Sequence, residues 1–207
     1  MPESGIDIFP ATAVRWPDVQ VLFAQHGELG CWCQYWRHSA SAYRSGGPGS
    51  GEKNLQRQVA DGPPPRMVAY QNGEPAGWLG FWPRHKLDRL VRSRTIHKVD
   101  DQEVWSIVCF MVRVGYRRQG VARALLAGAI AFARDFGVQM LEAYPIDPEG
   151  NRIDVTFGYV GFTPMFEAAG FQRIVATNAH SAKRTRILMR LEVGSLTHSV
   201  QSNPTEP

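Results

Sequence analysis

Short apolar–polar alternations occupy both ends of the chain, and one long helical pattern lies between them. Residues 6–9 alternate and predict a first strand. Residues 17–25 predict a helix with proline in its first turn and Val21 and Leu22 on one side. Residues 52–60 predict a second helix, stopped by Asp61-Gly62 and three prolines. Around Asn72-Gly73 the runs 66–71 and 75–82 read as a hairpin, because that dipeptide tolerates the positive φ values of a tight turn. Residues 104–114 form a nearly continuous apolar run, the pattern of a strand buried on both faces. The strongest helical pattern spans 120–136, where Val121, Leu125, Gly128/Ala129, Phe132 and Phe136 recur at helical spacing and Gly137 stands at the C-terminal cap. Strands at 138–144, 171–176 and 186–191 and a short helix at 163–169 complete the pattern. The sum is an α/β (α+β) fold: a single domain over residues 1–193 with a mixed central sheet of about six to seven strands flanked by helices.

Three stretches break the periodicity. Residues 44–51 are rich in glycine and serine and read as a flexible loop, residues 83–101 as a long connection, and residues 194–207 as a disordered tail. Length and composition agree with one globular domain: 207 residues, 43% hydrophobic and 20% charged, which excludes a disordered or fibrous chain. No run approaches the about 18 apolar residues of a membrane helix, since Arg123 interrupts the longest one. The first residues carry acids where an export signal carries Lys or Arg, and three cysteines are too few for a disulfide framework, so a cytoplasmic protein with reduced thiols is expected.

The net charge of +4 is unevenly spread. Arg84, Lys86, Arg89, Arg92, Arg94 and Lys98 form one basic set, and Arg173, Lys183, Arg184, Arg186 and Arg190 another, a distribution that suits an anionic partner or a solvated surface. The most informative junction is Val112-Arg113-Val114-Gly115-Tyr116-Arg117-Arg118-Gln119-Gly120-Val121-Ala122-Arg123. A buried strand ends, a basic turn follows, and a helix opens at a glycine. The first turn of a helix presents unpaired N–H groups and the positive end of its dipole, so this junction reads as an anion cradle for a pyrophosphate. The P-loop and dinucleotide-fold signatures are absent. Strand alternation places Val138, Met140, Glu142 and Tyr144 on one face, where the carboxylate is costly to bury unless it takes a proton in a reaction or pairs with an arginine.

Arg117-Arg118-Gln119-Gly120-Val121-Ala122 resembles the Gln/Arg-x-x-Gly-x-Gly/Ala signature of the GNAT superfamily of N-acetyltransferases, and Met165-Phe166-Glu167-Ala168-Ala169-Gly170-Phe171 is similar to that family's Leu-Tyr-Glu-x-x-Gly-Phe ending. The resemblance covers about residues 67–191. It implies acetyl-CoA as co-substrate, with no metal. Arg117, Arg118, Gln119, Gly120, Val121, Ala122 and Arg123 would hold the pyrophosphate, and Phe110, Met111 and Val112 would pair with the pantetheine arm. It also implies acetyl transfer to a primary amine of a small molecule or protein by direct attack, with Glu142 as general base. Phe166 stands where the family has a proton-donating tyrosine, so Tyr144 or Tyr159 would substitute, or the thiolate would leave without a side-chain donor. Residues 28–60 would form the acceptor side, with Trp32, Tyr35 and Trp36 as an aromatic wall for the amine.

Cys31-x-Cys33 lacks the second ligand pair of a zinc site, and Cys109 reads as a small core residue. No membrane partner is expected, nucleic acid is not favoured because no aromatics interleave the basic sets, and the chain is expected as a monomer or homodimer. The rival function class is a non-catalytic acyl-CoA sensor or a basic nucleic-acid-binding module.

Overall fold

The computed structural model describes residues 5–24, 30–61, 66–151, 153 and 155–194, with backbone alone at 155–157. The expected tail, Gln25, His26 and the prolines at 63–65 lie outside the described residues.

Among the described residues seven strands form one sheet in the order β1-β2-β3-β4-β5-β7-β6. They are β1 (Ile6–Pro10), β2 (Arg66–Gln71), β3 (Glu74–Pro83), β4 (Trp105–Val112), β5 (Met140–Ala143), β6 (Gln172–Ser181) and β7 (Arg184–Glu192). All neighbours are antiparallel except β4 and β5, which α5 (Val121–Asp135) connects as a crossover. The other helices are α1 (Trp16–Ala24), α2 (Ala40–Ser45), α3 (Ser50–Ala60), α4 (Asp88–Val91) and α6 (Thr163–Ala168).

The two sheet faces bury different clusters. On one, Leu125, Leu126, Ala129 and Ala133 of α5 and Phe166 of α6 pack on Leu79, Phe81, Ile107 and Phe110. On the other, α1 and α3 cover Val68 and Trp78, and Trp36, Leu90 and Tyr144 cover Val108 and Leu188. Between Gly80 and Phe81 the register with β4 slips, so Val108 and Cys109 both face the second side.

Four expectations change in extent. The glycine-rich stretch is no single loop: Arg44 and Ser45 end α2, and Ser50 opens α3, whose start at Gly49 carries φ of 73°. The segment after Pro83 contains a 3-10 turn (Arg84–Lys86) and α4. The β5 strand is shorter than its apolar run because the chain turns away after Ala143. Strands β6 and β7 reach further than predicted, joined through Ala182 and Lys183 at φ of 51° and 60°, two residue types that give no turn signal. Phe136, expected on the buried face of α5, caps the helix and is half-exposed.

Candidate active site

The junction between β4 and α5 is open to solvent. Gly120 has φ of 90°, no side chain caps α5, and its first turn holds no acid. Ala124 makes the first helical bond, to Gly120 O at 3.0 Å, so the amides of Val121, Ala122 and Arg123 precede the helical ladder. Two side chains brace the loop: Arg117 Nε donates to Val112 O at 3.2 Å, and Gln119 Nε2 to Gly115 O at 2.6 Å. Arg118, Gln119, Gly120 and Arg123 are exposed, and Arg118 holds φ of 63°. The first-turn amides thus lie in a segment that also carries three arginines, where an anion is favoured. From Arg123 a groove of about 340 Å³ runs between α5 and α6, lined by Leu126, Ile130, Arg134 and Met165.

Strand β5 keeps register with β4 only at Trp105, Ser106 and Ile107, after which the strands part. Phe110, Met111 and Val112 lie on β4 beyond that point. The 3-10 turn Val155–Val160 lies against β4 as well. Phe166 is fully buried, edge-on to Phe110 at 5.9 Å and Phe171 at 5.1 Å, and supplies no hydroxyl.

Glu142 is fully buried, but its surroundings are polar, contrary to the apolar neighbourhood the strand pattern implies. Arg84 Nε donates to Oε1 at 3.2 Å, Arg190 Nε to Oε2 at 2.8 Å, and the Tyr144 hydroxyl to Oε1. Arg190 also holds Asp100 through both terminal nitrogens, at 2.5 and 3.0 Å. Tyr144 is equally buried, and its hydroxyl pairs with Ser106 Oγ at 2.9 Å. Burial, then the charge of Glu142, pushes the Tyr144 hydroxyl well above the usual range. The group ties β4, β5 and β7 together. These residues lie on different elements, so sequence spacing could not pair them.

Tyr35 and Trp36 line a pocket of about 280 Å³ together with Tyr159, Asn178, His180 and Arg186. Trp32 does not join them: it is buried against Phe23, ring centroids 5.0 Å apart, and belongs to the core beneath α1. Tyr35 is held by Arg89, whose guanidinium carbon lies 4.0 Å from the ring centroid and whose Nε donates to Tyr35 O at 2.7 Å. His180 is exposed, and its Nδ1 lies 3.2 Å from Asn178 O. A carbonyl only accepts, so Nδ1 carries the hydrogen and a neutral ring presents Nε2 as a proton acceptor. Burial raises the Tyr159 hydroxyl above its ordinary value, which keeps it protonated near neutrality.

Beside this pocket lies a cluster the sequence did not reveal. Cys33, at φ of 58°, is buried with Arg37 and Arg66, and its Sγ lies 2.5 Å from where a Cβ on Gly80 would be. A hydrogen bond from Cys109, then the charges of Arg37 and Arg66, lower the Cys33 thiol to about 6 against the opposing effect of burial. In its ionised form this sulfur is the counter-charge for the two buried cations. The unfolded thiol titrates near 9.0 and the folded one near 6, so the thiolate's stabilisation is complete above pH 9 and declines as pH falls toward 6. Thiolate absorbance of the native protein is expected to titrate near pH 6, and Cys33→Ser to remove that transition; a thiol titrating near 9 would contradict it.

The two basic sets are partly committed to internal partners. Arg84 and Arg190 hold Glu142, Arg173 holds Asp147 and Glu167, and Arg184 holds Glu149. Among the described residues no group of three or more His, Cys, Asp or Glu is placed to hold a metal, and no helix is long and apolar enough to cross a membrane.

A family model described as the acetyltransferase (GNAT) family matches residues 31–155. No curated protein matches the chain. Solved structures share its fold. The ribosomal-protein-S18-alanine N-acetyltransferase from Escherichia coli is 17% identical, with a TM-score of 0.50 over 94% of this chain and 98% of that one. Ard1 from Thermoplasma volcanium is 16% identical, with a TM-score of 0.51 over 92% of this chain and 99% of that one. Diaminobutyrate acetyltransferase from Paenibacillus lautus, solved with L-2,4-diaminobutyric acid and coenzyme A, is 14% identical, with a TM-score of 0.50 over 93% and 98%.

Proposed function

The chain belongs to the GNAT acetyltransferase family, and from that premise we propose that it moves the acetyl group of acetyl-CoA to a primary amine by direct attack. The observation that carries this reading is the pairing of an uncapped α5 N-terminus with the point where β5 leaves β4. In this reading the amides of Val121, Ala122 and Arg123 hold the pyrophosphate, with Arg117, Arg118 and Gln119 shaping the loop and Gly120 allowing close approach. Phe110, Met111 and Val112 align the pantetheine arm, and a main-chain N–H there polarises the thioester carbonyl. The amine enters through the pocket of Tyr35 and Trp36.

An alkylamine is mostly protonated at neutral pH and must lose that proton before it attacks. Glu142 has both oxygens engaged and no exposure, so its part in this reading is to hold β4, β5 and β7 in place. His180 Nε2, on the pocket wall, takes the proton. Tyr159, on the same wall, offers a hydroxyl for the departing thiolate; Tyr144 is locked on Glu142 and Ser106. The acceptor is a small molecule or a protein amine.

The test is thiol release from acetyl-CoA in the presence and absence of a panel of amines. Acceptor-dependent release supports transfer. Coenzyme binding without release supports a sensor, and salt-sensitive binding of DNA or RNA the nucleic-acid reading.

A further inference from the structure

The pocket assigned to the amine carries a buried positive charge with no acid paired to it among the described residues. Arg186 projects from β7 and is 3% exposed. Its Nε donates to Tyr144 O at 2.8 Å, while its Nη2 is buried without a hydrogen-bond partner among the described residues. Trp36, on the same wall, has its buried indole Nε1 in the same condition. Among the described residues none that lines the pocket is Asp or Glu.

These two donors are an expensive arrangement for an empty wall. A guanidinium is ionised at any ordinary pH, and burying it without an anion is strongly unfavourable. The face of Trp36, whose ring centroid lies 5.4 Å from the Arg186 guanidinium carbon, offsets only part of that. An anion seated against this wall would supply the missing counter-charge. Burial lowers the Arg186 pKa from its ordinary value, which agrees with a cation short of a counter-charge.

We propose that the acceptor is an amine that also carries a carboxylate, and that Arg186 and Trp36 bind the carboxylate while the amine is presented to the thioester. This rests on the acetyl-transfer reading above. Arg186 is the specificity-determining residue, since polyamines and basic side chains bring a second cation toward it.

Matched acceptors test this directly: phenylalanine against phenethylamine, and tyrosine against tyramine. Thiol release gives kcat/KM for each, and calorimetric titration of each compound into the coenzyme-A-loaded protein gives affinity without turnover. The carboxylate-bearing member of each pair is expected to be preferred by roughly 10–100-fold, the range of a hydrogen bond to a charged group. Arg186→Gln should erase that ratio, and Arg186→Lys should retain part of it. The readout is a ratio, so a general loss of folded protein falls on both members equally, and the lysine variant keeps the charge should the glutamine variant fail to fold. Equal or better use of the decarboxylated amines by the wild type, or an unchanged ratio in Arg186→Gln, overturns the proposal. If no acceptor releases thiol yet carboxylates bind selectively, the transfer reading fails and the anion subsite stands.

Discussion

Replacing Glu142 by alanine is expected to lower folding stability by about 3–5 kcal/mol, the range for removing one partner of a buried ion pair. For a domain of this size that is roughly a 6–20 °C fall in melting temperature. The cause is geometric. Arg84 at 3.2 Å and Arg190 at 2.8 Å both bond a carboxylate that has no exposure to water. Without it two guanidiniums remain near the protein interior, and the Tyr144 hydroxyl loses its acceptor. Glu142→Gln should recover the shape and some of the stability, because an amide oxygen still accepts one bond. Urea or thermal unfolding of both variants decides the matter. Should Glu142→Ala melt with the wild type while turnover collapses, the carboxylate is chemical after all and the structural reading is wrong.

The second large effect is expected at His180. Removing a positioned general base slows turnover by roughly 10²–10⁴-fold, so His180→Ala should lose kcat on that scale. Its ring is exposed and its described bond is a single one to Asn178 O, so the melting temperature should move little. The two substitutions therefore separate cleanly: Glu142→Ala reads out in stability, His180→Ala in rate. A variant with unaltered kcat assigns the proton to water or to another group.

Periodicity made some parts of this fold legible and was silent about others. The spacing from Val121 to Phe132 gave α5, and Asn72-Gly73 gave the β2–β3 hairpin, because both signals are local. The extent of β6 and β7 was not readable, since Ala182 and Lys183 adopt positive φ without the side chains that usually favour it. In the candidate site, the basic turn before Gly120 was visible as one contiguous run. The acceptor side was visible only as an excess of aromatics. That excess did not distinguish Tyr35 and Trp36, which line the pocket, from Trp32, which stacks on Phe23. Arg186 looked like one more member of a basic set until β7 placed it under Trp36. Likewise Cys33 and Cys109, far apart in sequence, meet only because the bulge in β4 turns Cys109 to the same face. Long-range pairing of this kind leaves no local pattern to read.

Calorimetric titration with acetyl-CoA, comparing the wild type with Gly120→Val, bears most directly on the central claim. Gly120 holds φ of 90° at the head of α5, and its missing Cβ would meet only Ile6 Cδ1, 3.9 Å away, so the substitution acts through the backbone conformation that aims the first-turn amides. The account predicts measurable binding by the wild type and at least about a tenfold loss of affinity in the variant, the equivalent of 1.4 kcal/mol, with the fold retained. Equal affinity for the coenzyme in the two proteins would contradict it.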